Sequence, residues 1–214
     1  MKIDHLTKMA LKTTALAIMA MFILGFAFPT ITAIITQEID PHSATGSPVT
    51  IDGKIYGSYL LAEAFNSSIF FQARPSAIDY NLSQSGGPSY AIDNKNLVNQ
   101  TKAYLVQFER ENNLTSASQI PTSMITYSGS GLDPNIPLQG AIDQVSRISQ
   151  NISAFTNGSL TDNFTYNYIV NITASDISYN FPILGAPYVN TVVLNFDIID
   201  LLMEKGYITQ SFLD

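Results

Sequence analysis

Residues 13–36 read "TTALAIMAMFILGFAFPTITAIIT", an apolar run of 24 residues without a charged side chain. As an α-helix this run extends about 36 Å, at about 1.5 Å per residue, and the hydrocarbon core of a bilayer is roughly 30 Å thick. The run therefore predicts a transmembrane helix. The alternative is a cleaved signal peptide with a small-x-small site at residues 25–27, but the apolar residues continue past Ala27 further than a signal peptide requires.

Positive charge is distributed unevenly around this helix. Three lysines precede it, and the next Lys or Arg after it is Lys54. Because cytoplasmic flanks carry the excess of Lys and Arg, we expect residues 1–12 to form a cytoplasmic tail and residues 37–214 to lie outside. The expected location is the cell membrane, with a single pass and an extracytoplasmic C-terminal domain.

Asn-x-Ser/Thr sequons occur only after the apolar run. Such a sequon is the acceptor for N-glycosylation, so the distribution agrees with an exported domain. A chain rich in Asn, Ser and Thr also produces sequons by chance, so they support the topology without proving it. The eight asparagines are Asn66, Asn81, Asn99, Asn113, Asn151, Asn157, Asn163 and Asn171.

The composition is poor in charge and lacks cysteine. Charged residues make up 13% of the chain, against roughly 25% in an average soluble protein. An acidic exterior would favour such a surface because carboxylates are protonated there; an ordinary neutral-polar surface is the other interpretation. The absence of Cys excludes disulfides and thiolate metal sites. The net charge of −7 gives no basic patch for nucleic acid.

The exported part is predicted to form one extracytoplasmic α+β domain that follows the single N-terminal transmembrane helix. Residues 37–53 contain two Gly and two Pro, which is typical of a stalk with little regular structure. Residues 54–214 form the domain. They mix helical periodicity with β-branched runs and contain no internal repeat.

Several elements of this domain can be predicted from pattern. Pro137 suits the first turn of a helix that carries Ile142, Val145 and Ile148 on one face. Gly206 is expected to end a terminal helix, and residues 159–181 give no clear prediction. The other predicted elements are a strand and a short helix within 54–72, a helix over 94–112, a helical turn or strand over 121–126, a loop over 129–137 and a strand over 188–196.

Residues suited to catalysis are few. The two histidines, His5 and His42, fall in the tail and the stalk, so neither is placed for a Ser-His-Asp arrangement in the domain. No His or carboxylate cluster has metal-ligand spacing. Asp133 is the best single candidate for carboxylate acid–base chemistry, although Asp133-Pro134 more simply shapes a turn. Two hypotheses remain: a non-catalytic subunit of an assembly, and a membrane-anchored extracytoplasmic enzyme with a site around Asp133.

The stretch "FFQARPSAIDYNLSQSGGPS", residues 70–89, resembles a phosphate-binding segment. Arg74 is followed by Pro75 and Ser76, and ten residues later Ser85-Gly86-Gly87 follows Gln84. An Arg could clamp a phosphate and a Gly-Gly turn could cradle it. The predicted orientation places this stretch outside, where ATP is not available, so the simpler interpretation of the glycines is a tight turn that needs positive φ.

Several stretches together resemble the KdpC family, the C subunit of the Kdp potassium-transporting P-type ATPase. No single stretch is specific, but their order covers most of the chain. Asn135, Ser146 and the Pro88-Ser89 pair depart from the family pattern. The matching stretches are "GFAFPTITAIITQ" (25–37), "GSYLLAEAF" (57–65), "FFQARPSAIDY" (70–80), "SGGPS" (85–89), "IPTSMITYSGSGLDPNIP" (120–137), "AIDQVSRI" (141–148) and "GAPYVNTVVLN" (185–195).

The resemblance implies an accessory subunit of a high-affinity, ATP-driven potassium uptake complex. It would assemble and stabilise a channel-like KdpA and an ATPase KdpB, with a small KdpF-like peptide, and cover the external potassium entrance. ATP would be used by KdpB, and we expect no cofactor, ATP included, to bind this chain directly. No residue is expected to be catalytic or to bind a metal. The matching stretches give candidate functional residues at Arg74, Pro75, Ser76, Gln84, Ser85, Gly86, Gly87, Ser128, Gly129, Gly131, Asp133, Gln144, Arg147, Asn190 and Asn195.

Two residues of the apolar run are expected to make it a docking surface as well as an anchor. Gly25 would let a neighbouring helix approach closely. Pro29 would leave a backbone carbonyl without its usual partner and bend the helix. The alternative is an inert tether with a tolerated proline.

Overall fold

The computed structural model describes residues 2–116, 120–179 and 185–212. It divides into an N-terminal unit, residues 1–48, and a C-terminal unit, residues 49–214. Helix α1 (Lys2–Phe22), a π-helical segment (Ile23–Ala27) and helix α2 (Phe28–Ile39) follow one another without a break. Among the described residues, one helix, Asp4–Ile39, is long and apolar enough to cross a membrane. The predicted helix over 13–36 lies within it.

The π-helical segment lies directly before Pro29. Proline has no N–H, so it cannot donate to the carbonyl of Gly25 four residues earlier. The N–H of Phe28 instead donates to the carbonyl of Ile23, five residues back, which is the π-helical pattern. The predicted local disturbance at Pro29 therefore takes the form of a widened turn between α1 and α2.

The expectation of little regular structure over residues 37–53 was wrong. Helix α2 continues to Ile39, and a short helix α3 (Pro41–Ala44) follows at once. The carboxylate of Asp40 caps α3 by accepting a hydrogen bond from the N–H of Ser43 at 3.1 Å. Strand β1 (Pro48–Ile51) then begins, so glycine and proline mark the boundaries of short elements here and not an irregular connection.

The C-terminal unit is an α+β domain, as predicted, with two small sheets. Strands β1 and β2 (Lys54–Ser58) form one sheet, and β3 (Asn135–Pro137) and β4 (Tyr188–Asn190) form the other. The second pair is antiparallel, with Ile136 opposite Val189. The remaining elements are helix α4 (Lys95–Asn112), a 3₁₀ turn (Thr122–Ile125), helix α5 (Leu138–Phe155), helix α6 (Asp162–Ser175), helix α7 (Thr191–Glu204) and a 3₁₀ turn (Gln210–Phe212).

Helices α5 and α7 supply much of the core. On α5 the buried apolar side chains are Ala141, Val145, Ile148 and Ile152, spaced four, three and four residues apart. The prediction that Ile142 shares this face was wrong, because Ile142 is 49% exposed. The apolar stripe begins one residue earlier than the sequence pattern indicated.

Helix α7 replaces most of the strand predicted over residues 188–196. The strand ends at Asn190, whose side-chain oxygen accepts hydrogen bonds from the N–H groups of Val192 at 2.9 Å and Val193 at 3.3 Å. This cap begins a helix, and burial of its β-branched residues outweighs their weak preference for strands. Gly206, with φ of 75°, follows the end of the helix as predicted.

Two further expectations differ from the structure. Residues 59–72 contain no helix; they form turns, bends and chain without regular secondary structure. Helix α6 occupies most of residues 159–179, for which no element was predicted, and residues 180–181 lie outside the described residues. Thr161 caps α6 by accepting from the N–H of Phe164 at 3.3 Å. The helix over 94–112 and the helical turn over 121–126 were predicted correctly.

Candidate functional site

The main chain at residues 71 and 72 belongs to neither sheet. Asn195, on α7, accepts from the N–H of Phe71 at 2.7 Å and donates to its carbonyl at 2.9 Å. Gln144, on α5, accepts from the N–H of Gln72 at 2.8 Å and donates to its carbonyl at 3.2 Å. The two buried amides thus act as the neighbouring strand that this segment lacks, because buried backbone polar groups need partners.

Arg147 extends the same arrangement and is only 6% exposed. Burial lowers the pKa of its guanidinium to about 10, while Glu111 acts in the opposite direction. Its hydrogen bonds join α5 to α4 and to the segment before residue 71. The acceptors are neutral: Asn112 Oδ1 at 2.9 Å, the carbonyls of Ser68 at 2.6 Å and Phe70 at 3.1 Å, and Gln144 Oε1 at 2.8 Å.

Arg74 holds the loop that contains Asp133. Its Nε donates to the carbonyl of Ser123 at 3.2 Å, and Nη2 donates to the carbonyl of Tyr127 at 3.1 Å. Nη1 forms an ion pair with Asp133 Oδ2 at 3.2 Å. The other carboxylate oxygen of Asp133 accepts from the N–H of Asn135 at 3.0 Å. Both oxygens of Asp133 are therefore used to fix the loop, which suits the turn interpretation of Asp133-Pro134.

Three of the motif stretches meet at one place. The carbonyl of Pro75 accepts from the N–H of Ser128 at 3.1 Å, and the N–H of Gly86 donates to the carbonyl of Ser130 at 2.9 Å. Gly131 has φ of 73°, and a Cβ there would lie 2.6 Å from Ile78 Cγ1. Glycine at 131 is thus required both by the backbone conformation and by the close approach of its neighbour.

The Gly-Gly pair does not form the tight turn that the sequence suggested. Neither Gly86 nor Gly87 has positive φ. A Cβ at Gly87 would lie 3.3 Å from the carbonyl oxygen of Gly129, so close packing against another chain segment explains the small residue better. Since the N–H of Gly86 already donates to Ser130, it does not point at an empty phosphate cradle.

A short local network shapes the chain after Arg74. The hydroxyl of Ser76 accepts from the N–H groups of Ile78 at 3.3 Å and Tyr80 at 3.0 Å. The Tyr80 hydroxyl donates to the carbonyl of Arg74 at 2.8 Å. Burial raises the pKa of Tyr80 to about 12, with a further contribution from the charge of Asp79. The phenol therefore stays protonated and bonded through the neutral pH range.

The candidate residues thus divide into three groups by exposure. The buried members are Ser128, Gly131, Gln144, Arg147 and Asn195. The half-buried members are Arg74, Pro75, Ser76, Gly86, Asp133 and Asn190. Asn190 caps α7, and its Nδ2 donates to the carbonyl of Tyr59 at 2.7 Å. The exposed members form what we call the motif surface: Gln84, Ser85, Gly87 and Gly129.

Two clefts lie beside Arg74, Tyr80 and Asp133. One of about 310 Å³ is lined by polar and aromatic side chains that include Glu63, Tyr80 and Tyr104. The other, of about 280 Å³, lies beside Arg74 and Asp133. Burial raises the pKa of the Glu63 carboxyl. Across residues 2–116, 120–179 and 185–212, no group of three or more His, Cys, Asp or Glu is placed to hold a metal ion.

Comparison with known proteins identifies the family. A family model described as "KdpC: K+-transporting ATPase, c chain" matches residues 10–200, which is most of the chain. The chain belongs to the KdpC family. A KdpC subunit of Thermoplasma acidophilum, named as a potassium-transporting ATPase subunit, is 53% identical over 95% of this chain and 98% of its own length.

Other KdpC subunits show a graded similarity. The Thermoplasma volcanium subunit is 49% identical over 95% of this chain and 96% of its own length. The subunit of Caldanaerobacter subterraneus is 30% identical over 88% of this chain and 93% of its own length. The family resemblance seen in the motif stretches is therefore confirmed along nearly the whole sequence.

One buried polar residue of the domain was not among the predicted candidates. Asn112 is 4% exposed and links Arg147 to the end of α4, where its Nδ2 also donates to the carbonyl of Phe108 at 2.9 Å. Its neighbour Asn113, with φ of 54°, is the residue that ends the helix. A pair of asparagines at a helix end signals a cap, but the sequence does not tell which of the two faces the core.

Proposed function

We propose that this chain is a non-catalytic accessory subunit of a potassium-transporting ATPase, assembling and stabilising a channel-like KdpA and an ATPase KdpB. The single observation that carries the proposal is the KdpC family match over residues 10–200. The hydrogen bonds of the polar motif residues, which stay within the domain, support the proposal of a non-catalytic role. Gln144, Arg147 and Asn195 are committed to the domain's own main chain, and Asp133 is committed to Arg74 and Asn135.

The proposed orientation has the N-terminus in the cytoplasm and the α+β domain outside. The helix Asp4–Ile39 supplies the anchor, and Lys2, Lys8 and Lys12 supply the positive flank that stays inside. In this orientation the domain lies near the external entrance of the channel-like subunit. A small KdpF-like peptide completes the proposed set of partners.

The domain's role at the entrance is electrostatic in this proposal. After the apolar run there are 7 Lys and Arg and 16 Asp and Glu, from totals of 10 and 17 less three lysines and Asp4, which gives a formal −9. Such a surface raises the local cation concentration over about 8 Å at physiological salt. It does not distinguish potassium from sodium, because selectivity requires a ring of fixed oxygens.

ATP is used by KdpB in this proposal and does not contact this chain. The N–H of Gly86 and the guanidinium of Arg74 are both occupied by contacts within the domain. Any influence on ATP handling is then a coupling through the assembled complex.

The test is co-purification of the full chain from membranes in mild detergent. We expect the channel-like subunit and a phosphorylatable ATPase to accompany it. Asp133→Asn, which keeps the size of the side chain, should retain transport by the assembled complex. Purification of the chain alone, together with a hydrolytic or transfer activity abolished by Asp133→Asn, would instead establish the enzyme hypothesis.

The anchor can be tested separately. Replacing residues 13–36 by an unrelated single-pass helix should prevent assembly while the domain is still exported, because Gly25 and the π-helical segment before Pro29 would be lost. The single change Ala33→Leu, in the same helix but away from both features, provides the control and should assemble normally. Normal assembly with the foreign helix would mean that the anchor is only a tether.

A further inference from the structure

The eight sequons differ sharply in their structural settings. Four of them lie outside helices and expose both the asparagine and the hydroxyl residue two positions later. One lies just before residue 71, one in the loop before the motif surface, one at the C-terminal end of α4 and one in the turn after α5. These are Asn66 with Ser68, Asn81 with Ser83, Asn113 with Thr115, and Asn157 with Ser159.

Four other sequons lie within helices. Asn163 and Asn171, on α6, depend on Thr165 and Thr173, which are 0% and 4% exposed. Asn99 lies on α4. An enzyme that glycosylates an Asn-x-Ser/Thr tripeptide must bind both the asparagine and the hydroxyl residue. In a helix these two residues, at positions i and i+2, do not face the same side. Helical sequons therefore present the two groups poorly.

The fourth helical sequon, at Asn151 on α5, is hydrogen-bonded to the Asn66 sequon. Asn151 Nδ2 donates to the carbonyl of Arg147 at 2.7 Å, so the nitrogen that would carry a sugar is already in use. Asn151 Oδ1 accepts from the hydroxyl of Ser68 at 2.9 Å, and Ser68 is the hydroxyl residue of the Asn66 sequon. The Asn151 sequon thus has its nitrogen hydrogen-bonded within α5, and the Asn66 sequon has its hydroxyl bonded to a side chain of α5.

Among the described residues, the other three exposed sequons form no side-chain hydrogen bond with another element of the domain. Within the described part of the chain, Nδ2 of Asn81, Asn113 and Asn157 donates no hydrogen bond, so each amide nitrogen is open to solvent. Asn113 and Asn157 have φ of 54° and 51° and lie in the turns that follow α4 and α5. In the first sequon, Ser83 donates through its N–H at 3.0 Å and its hydroxyl at 2.7 Å to Asn81 Oδ1.

We propose that Asn81, Asn113 and Asn157 are N-glycosylated after the domain folds, an inference that rests on the extracytoplasmic orientation in the proposed function. The donor is a lipid-linked oligosaccharide phosphate. Nδ2 bonds to the anomeric carbon of the first sugar, and the bond from that carbon to the phosphate oxygen breaks. The lipid phosphate leaves with the electron pair, and the amide proton passes to a base of the transferase. No oxidant or reductant takes part.

The test is mass spectrometry of the full chain purified from membranes of the cells that naturally contain it, before and after chemical removal of glycans. We expect glycopeptides at Asn81, Asn113 and Asn157. Asn81→Gln, Asn113→Gln and Asn157→Gln should each remove the mass of one glycan, and Ser83→Ala should remove the same glycan as Asn81→Gln while keeping the asparagine. Asn99→Gln and Asn163→Gln are the matched controls and should leave the total glycan mass unchanged.

A second measurement separates this inference from the orientation on which it rests. The chain has no cysteine, so Ser175→Cys, at an exposed position, reports the orientation by reaction with a membrane-impermeant maleimide on intact cells. Labelling without glycans at Asn81, Asn113 and Asn157 overturns the glycosylation inference and leaves the orientation. Absence of labelling on intact cells, with labelling after lysis, overturns both. A glycan at Asn151, Asn163 or Asn171 also overturns it, because transfer would then precede folding.

Discussion

The side-chain amide of Asn195 pairs with both main-chain groups of Phe71, at 2.7 Å from the N–H and 2.9 Å to the carbonyl. Gln144 repeats this pattern at Gln72, the next residue. Side-chain amides from two helices therefore bond to the main chain of this segment, where a sheet would use a neighbouring strand. The segment leads directly to Arg74, so this pairing sets the position from which Arg74 reaches the Asp133 loop.

Asn195→Ala should destabilise the domain by about 2–4 kcal/mol, because it leaves a buried N–H and a buried carbonyl without partners. The measurement is urea unfolding of the full chain in detergent, followed by tyrosine fluorescence, since the chain has 11 Tyr and no Trp. Asn96→Ala, at an exposed position on α4, is the control and should change little. Equal effects of the two substitutions would show that the pairing at Phe71 contributes little.

Gly131→Ala and Gly129→Ala form a matched pair. Gly131 has φ of 73° and no room for a Cβ, whereas Gly129 has nothing within 4 Å of where its Cβ would lie. We expect Gly131→Ala to destabilise the domain by at least about 1–2 kcal/mol, and Gly129→Ala to leave the urea midpoint unchanged. An assembly defect from Gly129→Ala at unchanged stability would assign the motif surface to partner contact. Tolerance of alanine at 131 would contradict the packing argument.

The domain should lose stability in alkali because of Tyr80. Burial raises its pKa from the ordinary value near 10 to about 12 in the folded state. As the pH rises, the phenol ionises in the unfolded chain before it ionises in the folded chain. The stability that the protonated phenol contributes is therefore complete below pH 10 and is lost as the pH rises through 12. Tyr80→Phe should flatten the decline of the urea midpoint between pH 10 and 12. An undiminished decline in that variant would point to other groups.

Acid should stabilise the domain over part of the pH range. Burial raises the pKa of five carboxyl groups, and neighbouring carboxylates add to the effect at one of them, Asp197. A raised pKa in the folded state means that folding takes up protons, so stability is gained as the pH falls from neutrality through those values and is complete near the ordinary carboxyl pKa of about 4. The five groups are Glu63, Asp143, Asp176, Asp197 and Asp200.

This acid effect can be isolated at Asp197 and Asp200. The double substitution Asp197→Asn and Asp200→Asn should raise the urea midpoint at pH 7 and reduce the difference between pH 7 and pH 5. Asp162→Asn on α6, at an exposed position, serves as the control. A wild-type midpoint that falls between pH 7 and pH 5 would contradict the prediction.

Local sequence signals predicted some of the candidate site and missed its organisation. The ordered stretches identified the family and pointed to Arg74, Gln144 and Asn195. They did not show that the polar groups of Gln144 and Asn195 are used on main chain more than 70 residues away in sequence, at Gln72 and Phe71. The Gly86-Gly87 pair was assigned to a turn because local patterns favour turns for glycine, whereas its contact is with Gly129 from another stretch.

The sequence by itself determined the apolar helix, the α+β class, the family and the ends of helices whose caps are local. The charge-free run over 13–36 and the stop at Gly206 depend on neighbouring residues, so composition and spacing suffice to predict them. Tertiary structure decided which face of α5 is buried, that residues 191–196 are helical and that the segment at residues 71–72 is clamped. Those outcomes depend on burial and on hydrogen bonds between distant residues, and such contacts outweigh the weak local preference of β-branched residues for strands.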